Sequence, residues 1–317
     1  LVAVGVALSV RLGRGSGGDR GGGPLPAGPL LLALLGGLLT AAAAEPCQVE
    51  SAYFCARVVD DLPPCEGRTL FLDRLRHSCV HLDDPTALDF SYTQILGDVL
   101  ATIAPEGQPI AALHIGGGGF TLPRYIAATR PGSDSLVLEL DPGLVQVAQD
   151  ELGLRLSDRL RVRTGDARLG LRKAATRRYD VVIGDAFGGQ AVPWHLATRE
   201  FTREIRDTLT PGGTYAINLI DYPPLGFARA EAATLRSVFD HVAVIAPRAR
   251  LQRRQGGNFV LVASDAPIDV RAIAARNRRR GDDDAVATGR RLDAFIGEAP
   301  VLTDDYAPVD QLLTPAT

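Results

Sequence analysis

Residues 110–142, IAALHIGGGGFTLPRYIAATRPGSDSLVLELDP, constrain this chain most, because apolar run, glycine run, helical pattern and second apolar run follow without a break. Ala111–Ile115 has the unbroken apolar character of a strand buried on both faces. Gly116–Gly119 follow at once; lacking Cβ atoms, they let the backbone turn sharply and come close to a ligand. The spacing predicts a helix over Phe120–Thr129, with Pro123 tolerated in its first turn, and a second strand over Leu136–Leu140. Glu139 stands roughly twenty residues beyond the glycines, the spacing at which an acid reaches ribose hydroxyls in a nucleotide-binding βαβ unit. Gly116, Gly117 and Gly118 are therefore expected to cradle a nucleoside-containing ligand whose ribose Glu139 holds.

The alternation continues past Pro142. Helices are expected over Gly143–Leu152, Ala167–Ala175, Ala197–Leu209 and Phe227–Phe239. Strands are expected over Leu160–Thr164, Tyr179–Gly184, Thr214–Ile220, Val242–Ala246 and Asn258–Ala263. Pro211-Gly212-Gly213 reads as a helix stop, and an arginine-rich loop with no helix joins the last two strands. Ahead of this core, Glu50–Leu82 alternates in the manner of a few antiparallel strands, and Leu88–Ile103 has helical spacing. The expected organisation is a small β-stranded domain over 45–87 and an α/β, Rossmann-like domain of seven strands over 88–317. Arg278–Arg280 followed by Asp282–Asp284 reads as a solvated, self-compensating loop.

The ends and the bulk numbers bear on surroundings. A net charge of −3 gives no electrostatic basis for a nucleic-acid partner. Residues 24–44 are uncharged and, at about twenty residues, long enough for one transmembrane helix; the alternative is the core of a signal peptide cleaved near 41–44. The chain contains no methionine, even at position 1. The expectation is that residues 1–44 end a membrane domain whose start lies upstream, which places the protein at the cell membrane. The arginines of 11–23 would then face the cytoplasm and the remainder would face outward, which suits disulfides and opposes a cytosolic cosubstrate. Cys47, Cys55, Cys65 and Cys79 form no C-x-x-C pair, so zinc is a poor reading. Two disulfides and four buried thiols both fit.

Ligands of open α/β sheets sit beyond the carboxyl ends of the strands, where this chain carries Glu139, Asp141, Asp166 and Asp185. Asp166 is placed to accept from an adenine amino group, a role compatible with capping the helix that follows. Asp141, before Pro142, reads as a helix cap. Asp185 ends an apolar strand before a loose segment; a carboxylate there can hold an ammonium group and take its proton. Tyr92 can assist with its hydroxyl. His77, His114 and His195 are not spaced as metal ligands, no metal is expected, and His114 reads as a structural strand residue.

In order and spacing these pieces resemble the spermidine/spermine synthase (aminopropyltransferase) family: Leu72-Asp73-Arg74-Leu75, Asp89–Tyr92, the glycine run, Glu139–Pro142, Gly165-Asp166-Ala167 and Tyr179–Asp185. The apolar segment and the closing run Leu302–Leu313 are similar to the bacterial branch fused to a membrane domain. The resemblance implies a seven-stranded S-adenosylmethionine-dependent transferase fold, decarboxylated S-adenosylmethionine as donor and an amine or polyamine as acceptor. Asp185 would deprotonate the attacking amine beside Tyr92. A homodimer is a further expectation. Two departures stand out. The family's glycine motif has an Asp, which binds the donor's aminopropyl ammonium, where this chain has Gly119. Its catalytic loop has an acceptor-binding Asp where this chain has Gly188. Two alternatives share the fold: a methyltransferase using intact S-adenosylmethionine, and a non-catalytic nucleoside-binding domain of a membrane protein.

Overall fold

A computed structural model of the chain describes residues 47–174 and 178–314. Val49–Thr317 forms one compact unit holding two sheets. The first is antiparallel, in the order β1 (Val49–Glu50), β2 (Cys55–Asp60), β3 (Arg68–Leu72), β4 (Leu75–Val80). A disulfide joins Cys65 to Cys79, and Cys47 and Cys55 are also disulfide-bonded, which decides between the two cysteine readings. Helix α1 (Ser91–Ile103) follows, and then the expected alternation begins.

Its elements are β5 (Ala111–Ile115), α2 (Thr121–Thr129), β6 (Asp134–Glu139), α3 (Pro142–Glu151), β7 (Leu160–Thr164), α4 (Ala167–Ala174) and β8 (Tyr179–Gly184). They continue with α5 (Arg199–Thr208), β9 (Leu209–Asp221), α6 (Gly226–Arg236), β10 (His241–Pro247), α7 (Arg248–Leu251) and β11 (Gly257–Ser264). Last come α8 (Val270–Arg280), β12 (Asp284–Ala287), α9 (Arg290–Ile296) and α10 (Val309–Leu312). The large sheet runs β12-β10-β11-β9-β8-β5-β6-β7. Strands β5 to β9 pair in parallel, while β10, β11 and β12 enter antiparallel.

Apolar side chains cover both faces of this sheet. Leu113, Ile115 and Val182 pack with α4, α5 and α6 on one face, and Ala112, Val181 and Ile183 with α1 and α2 on the other. The small sheet lies over a third cluster, in which Leu70, Leu72 and Val80 meet Phe120, Leu144 and Ala148. The caps are those the residue types favour. Asp141 accepts from Gly143 N–H (2.8 Å) ahead of Pro142, and Thr198 accepts from Phe201 N–H (3.2 Å).

Four expectations need correction. Helix α5 stops at Thr208, and β9 begins at Leu209 and runs through Pro211-Gly212-Gly213. The register with β8 jumps from Leu209 to Thr214, so these residues bulge from the ladder instead of ending a helix. A one-turn helix, α7, occupies the loop between β10 and β11. The charge cluster is no free loop: Arg280 pairs with the buried Asp98 (2.6 Å) and with Asp282 (2.9 Å). Asp284 then opens β12, which adds an eighth strand because Ala285–Ala287 can complete the β10 edge. Among the described residues no helix is long and apolar enough to cross a membrane; segment 24–44 lies outside them.

Candidate functional site

Strand order reverses at β5, which has β6 on one side and β8 on the other, so a crevice opens beyond its carboxyl end. Gly116 N–H donates to the Leu138 carbonyl (2.8 Å) while Asp185 N–H donates to the Ile115 carbonyl (2.9 Å), and the glycine run leaves between them. At Gly116 φ is +93° and a Cβ would lie 2.4 Å from the Asp185 carbonyl oxygen. Only glycine satisfies both constraints. The resulting cleft, about 600 Å³ with its open mouth, is lined by Gly116, Gly118, Glu139, Asp166, Asp185 and the imidazoles of His77 and His195.

Glu139 is buried and tied to the turn it serves. Its Oε2 accepts from Gly117 N–H (2.6 Å) and its Oε1 from Asp141 N–H (2.9 Å). Burial raises its pKa, and those two N–H groups act against the rise. Asp166 uses one oxygen to cap α4, accepting from Leu169 N–H (2.8 Å), and the other to meet His195 Nε2 (2.9 Å). Its capping role is thus present, and its cleft-facing oxygen has a partner that spacing did not suggest.

Asp185 is half-buried at the end of β8. Oδ2 accepts from the Tyr92 hydroxyl (3.2 Å) and Oδ1 from Asn218 Nδ2 (2.8 Å), while Asn218 Oδ1 accepts from Asn258 Nδ2 (2.9 Å). The last bond turns the Asn218 amide so that its donor end faces the carboxylate. Burial pushes the Asp185 pKa up to about 6, against the two hydrogen bonds. A carboxylate poised there can take a proton near neutral pH. The sequence reading missed Asn218 and Asn258; the available signal was an amide interrupting the apolar run Tyr215–Ile220.

The small sheet closes the other side. Ser78 Oγ accepts from Gly119 N–H (3.0 Å), and His77 Nδ1 lies 3.2 Å from the same hydroxyl. A Cβ at Gly119 would stand 2.7 Å from the Ser78 Cβ, whereas one at Gly188 would meet nothing within 4 Å. Burial lowers the His77 pKa to about 4, so its imidazole is neutral at pH 7. The sequence reading gave His77 and His195 no role in the cleft; the structure brings both into it.

The fold is that of the Rossmann-like S-adenosylmethionine-dependent transferases, with a small β-sheet ahead of the core. No family model matches the chain. It is 36% identical over 142 residues to a polyamine aminopropyltransferase of Vibrio vulnificus, covering 44% of this chain and 47% of that protein. It is 31% identical over 142 residues to an eEF1A lysine and N-terminal methyltransferase of Bos taurus, covering 41% of this chain and 20% of that one. Its structure is similar to the crystal structure of a probable spermidine synthase from Corynebacterium glutamicum, with 28% identity, a TM-score of 0.74, and coverage of 81% of this chain and 95% of that one. The chain is thus similar both to a polyamine aminopropyltransferase and a probable spermidine synthase and to a methyltransferase. The chain matches less than half the length of either curated relative.

Proposed function

We propose that the chain transfers an aminopropyl group from decarboxylated S-adenosylmethionine to an amine, as in polyamine biosynthesis. The observation that carries this reading is Asp185, with its raised pKa and its Tyr92 and Asn218 hydrogen bonds, facing the same cleft as Glu139 and Asp166. Asp185 takes a proton from the acceptor's ammonium. The freed lone pair attacks the aminopropyl carbon next to sulfur, the carbon–sulfur bond breaks, and methylthioadenosine leaves with that electron pair. The similarity to a polyamine aminopropyltransferase supports the same reaction. Incubation with the decarboxylated donor and a panel of amines is expected to release methylthioadenosine; no release from any amine overturns the proposal.

The two missing carboxylates call for different remedies. Gly188→Asp enters open space and is expected to lower KM for a diamine about tenfold, since a hydrogen bond to a charged group contributes about 1.5–3 kcal/mol. Gly119→Asp meets Ser78 and is expected to lower Tm without tightening the donor. Steady-state kinetics and thermal denaturation of the two variants check this; equal gains from both would show that Ser78 yields.

A second reading, methyl transfer from intact S-adenosylmethionine, draws on the Gly119–Ser78 contact and on the methyltransferase relative. Calorimetry with both donors separates the two, because tighter binding of the decarboxylated form excludes methyl transfer as the main activity. The same proposal includes membrane attachment through residues 24–44 and a homodimer. Both are open to measurement by fractionation of the expressed chain and by its mass in detergent.

A further inference from the structure

His114 stands where the strand pattern calls for an apolar residue. Along β5, Ala112 and His114 share a face; His114 is in register with Ile183 of β8, and Ala112 and Ile183 belong to the cluster that also contains Tyr92 and Leu122. The imidazole is 2% exposed, and its Nε2 is buried with no hydrogen-bond partner. Leaving such an atom unpaired is costly, and an unpaired buried polar atom in a folded protein calls for an explanation. The side chain lines a recess behind the glycine run together with Ser78, Tyr92, Thr93, Gly119 and Asp185. This recess has room for about one water-sized group, which is also the size of an ammonium. It adjoins Gly119, where the family pattern would place a carboxylate and where Ser78 leaves no space for one.

We infer that His114 Nε2 is an acceptor for the terminal ammonium of the transferred aminopropyl group, replacing the carboxylate absent at Gly119. The inference rests on the aminopropyl-donor reading of the cleft. Burial lowers the His114 pKa to about 3, so the ring is neutral at pH 7, and the tautomer carrying its proton on Nδ1 leaves an Nε2 lone pair free to accept. A neutral acceptor avoids a second buried carboxylate beside Asp185, whose mutual repulsion would hinder ionisation of both. The device selects for a donor that ends in ammonium without adding charge to the recess.

Calorimetry on the 317-residue chain tests this with three ligands: decarboxylated S-adenosylmethionine, methylthioadenosine, and a sulfonium analogue ending in methyl in place of ammonium. The wild-type chain is expected to prefer the ammonium ligand to its methyl analogue by about tenfold or more. His114→Leu should erase that preference and hold methylthioadenosine within about twofold, while His114→Gln, which keeps an acceptor, should retain most of it. Equal wild-type affinity for the ammonium and methyl ligands overturns the inference, as does a full preference in His114→Leu. Because the first comparison uses only the wild-type chain, it can overturn the inference even where a variant fails to fold; His114→Gln and His114→Leu together assign the preference to the Nε2 acceptor. Failure of the wild-type chain to bind any of the three ligands would instead overturn the donor reading itself.

Discussion

Asp185→Asn is expected to lower kcat about 10²- to 10⁴-fold, the usual contribution of a positioned general base, while donor affinity stays within about threefold. The substitution is nearly isosteric and keeps the local bonds. The new amide oxygen can accept from Asn218 Nδ2, and the new amide nitrogen can donate to the Tyr92 hydroxyl, so the pocket is preserved and only the proton acceptor is lost. Rate measurements and calorimetry on the variant together check this. A variant that loses donor binding as severely as turnover would make Asp185 a binding residue.

The pH dependence follows from the same group. The free protein holds Asp185 at a pKa of about 6, and a base must be deprotonated, so kcat/KM is expected to fall about tenfold per unit as pH drops below 6. Stability runs the opposite way. The folded-state pKa lies above the ordinary carboxylate value, so the contribution of the protonated form is fully present below about pH 4 and is lost as pH rises through about 6. Asp185→Asn carries no such loss. Its Tm at pH 8 is expected to equal or exceed that of the wild type, and a lower Tm would mean that the carboxylate is held by contacts stronger than its two hydrogen bonds.

Glu139→Ala is expected to weaken methylthioadenosine binding about a hundredfold and to lower Tm. The side chain is the acceptor for the Gly117 and Asp141 N–H groups. Removing it leaves both donors unpaired, at about 1–3 kcal/mol each, and frees the turn that positions the cleft. Glu139→Gln keeps one acceptor oxygen and should fall between the two. Unchanged nucleoside affinity in Glu139→Ala would sink the ribose role and leave Glu139 as a strut for the loop alone.

Local patterns carried much of this protein. The buried strands β5 and β8 lie at the residues their apolar runs indicated, because a strand covered on both faces needs an apolar stretch. The caps at Asp141 and Asp166 were legible because a short carboxylate before a helix satisfies free N–H groups. Pro211-Gly212-Gly213 misled for a physical reason: the same residues that stop a helix also permit a bulge at the start of a strand. The cluster around Arg280 misled because neutrality looks alike in a solvated loop and in a packed ion pair. Only the approach of Asp98, 182 positions away in sequence, separates them.

By itself the sequence determined the βα alternation, the glycine turn and the acids at the strand ends, all properties of residues near one another along the chain. It also determined that positions 119 and 188 carry no carboxylate. Only the tertiary structure decided that these two glycines differ: one is closed by Ser78 from a separate sheet and the other opens to solvent. It likewise brought Asn218 and Tyr92 to Asp185, Asn258 to Asn218, and His77 and His195 to the cleft. Those meetings depend on strand order and on how the small sheet packs, which pair residues from 33 to 93 positions apart around Asp185. No local periodicity records such distances.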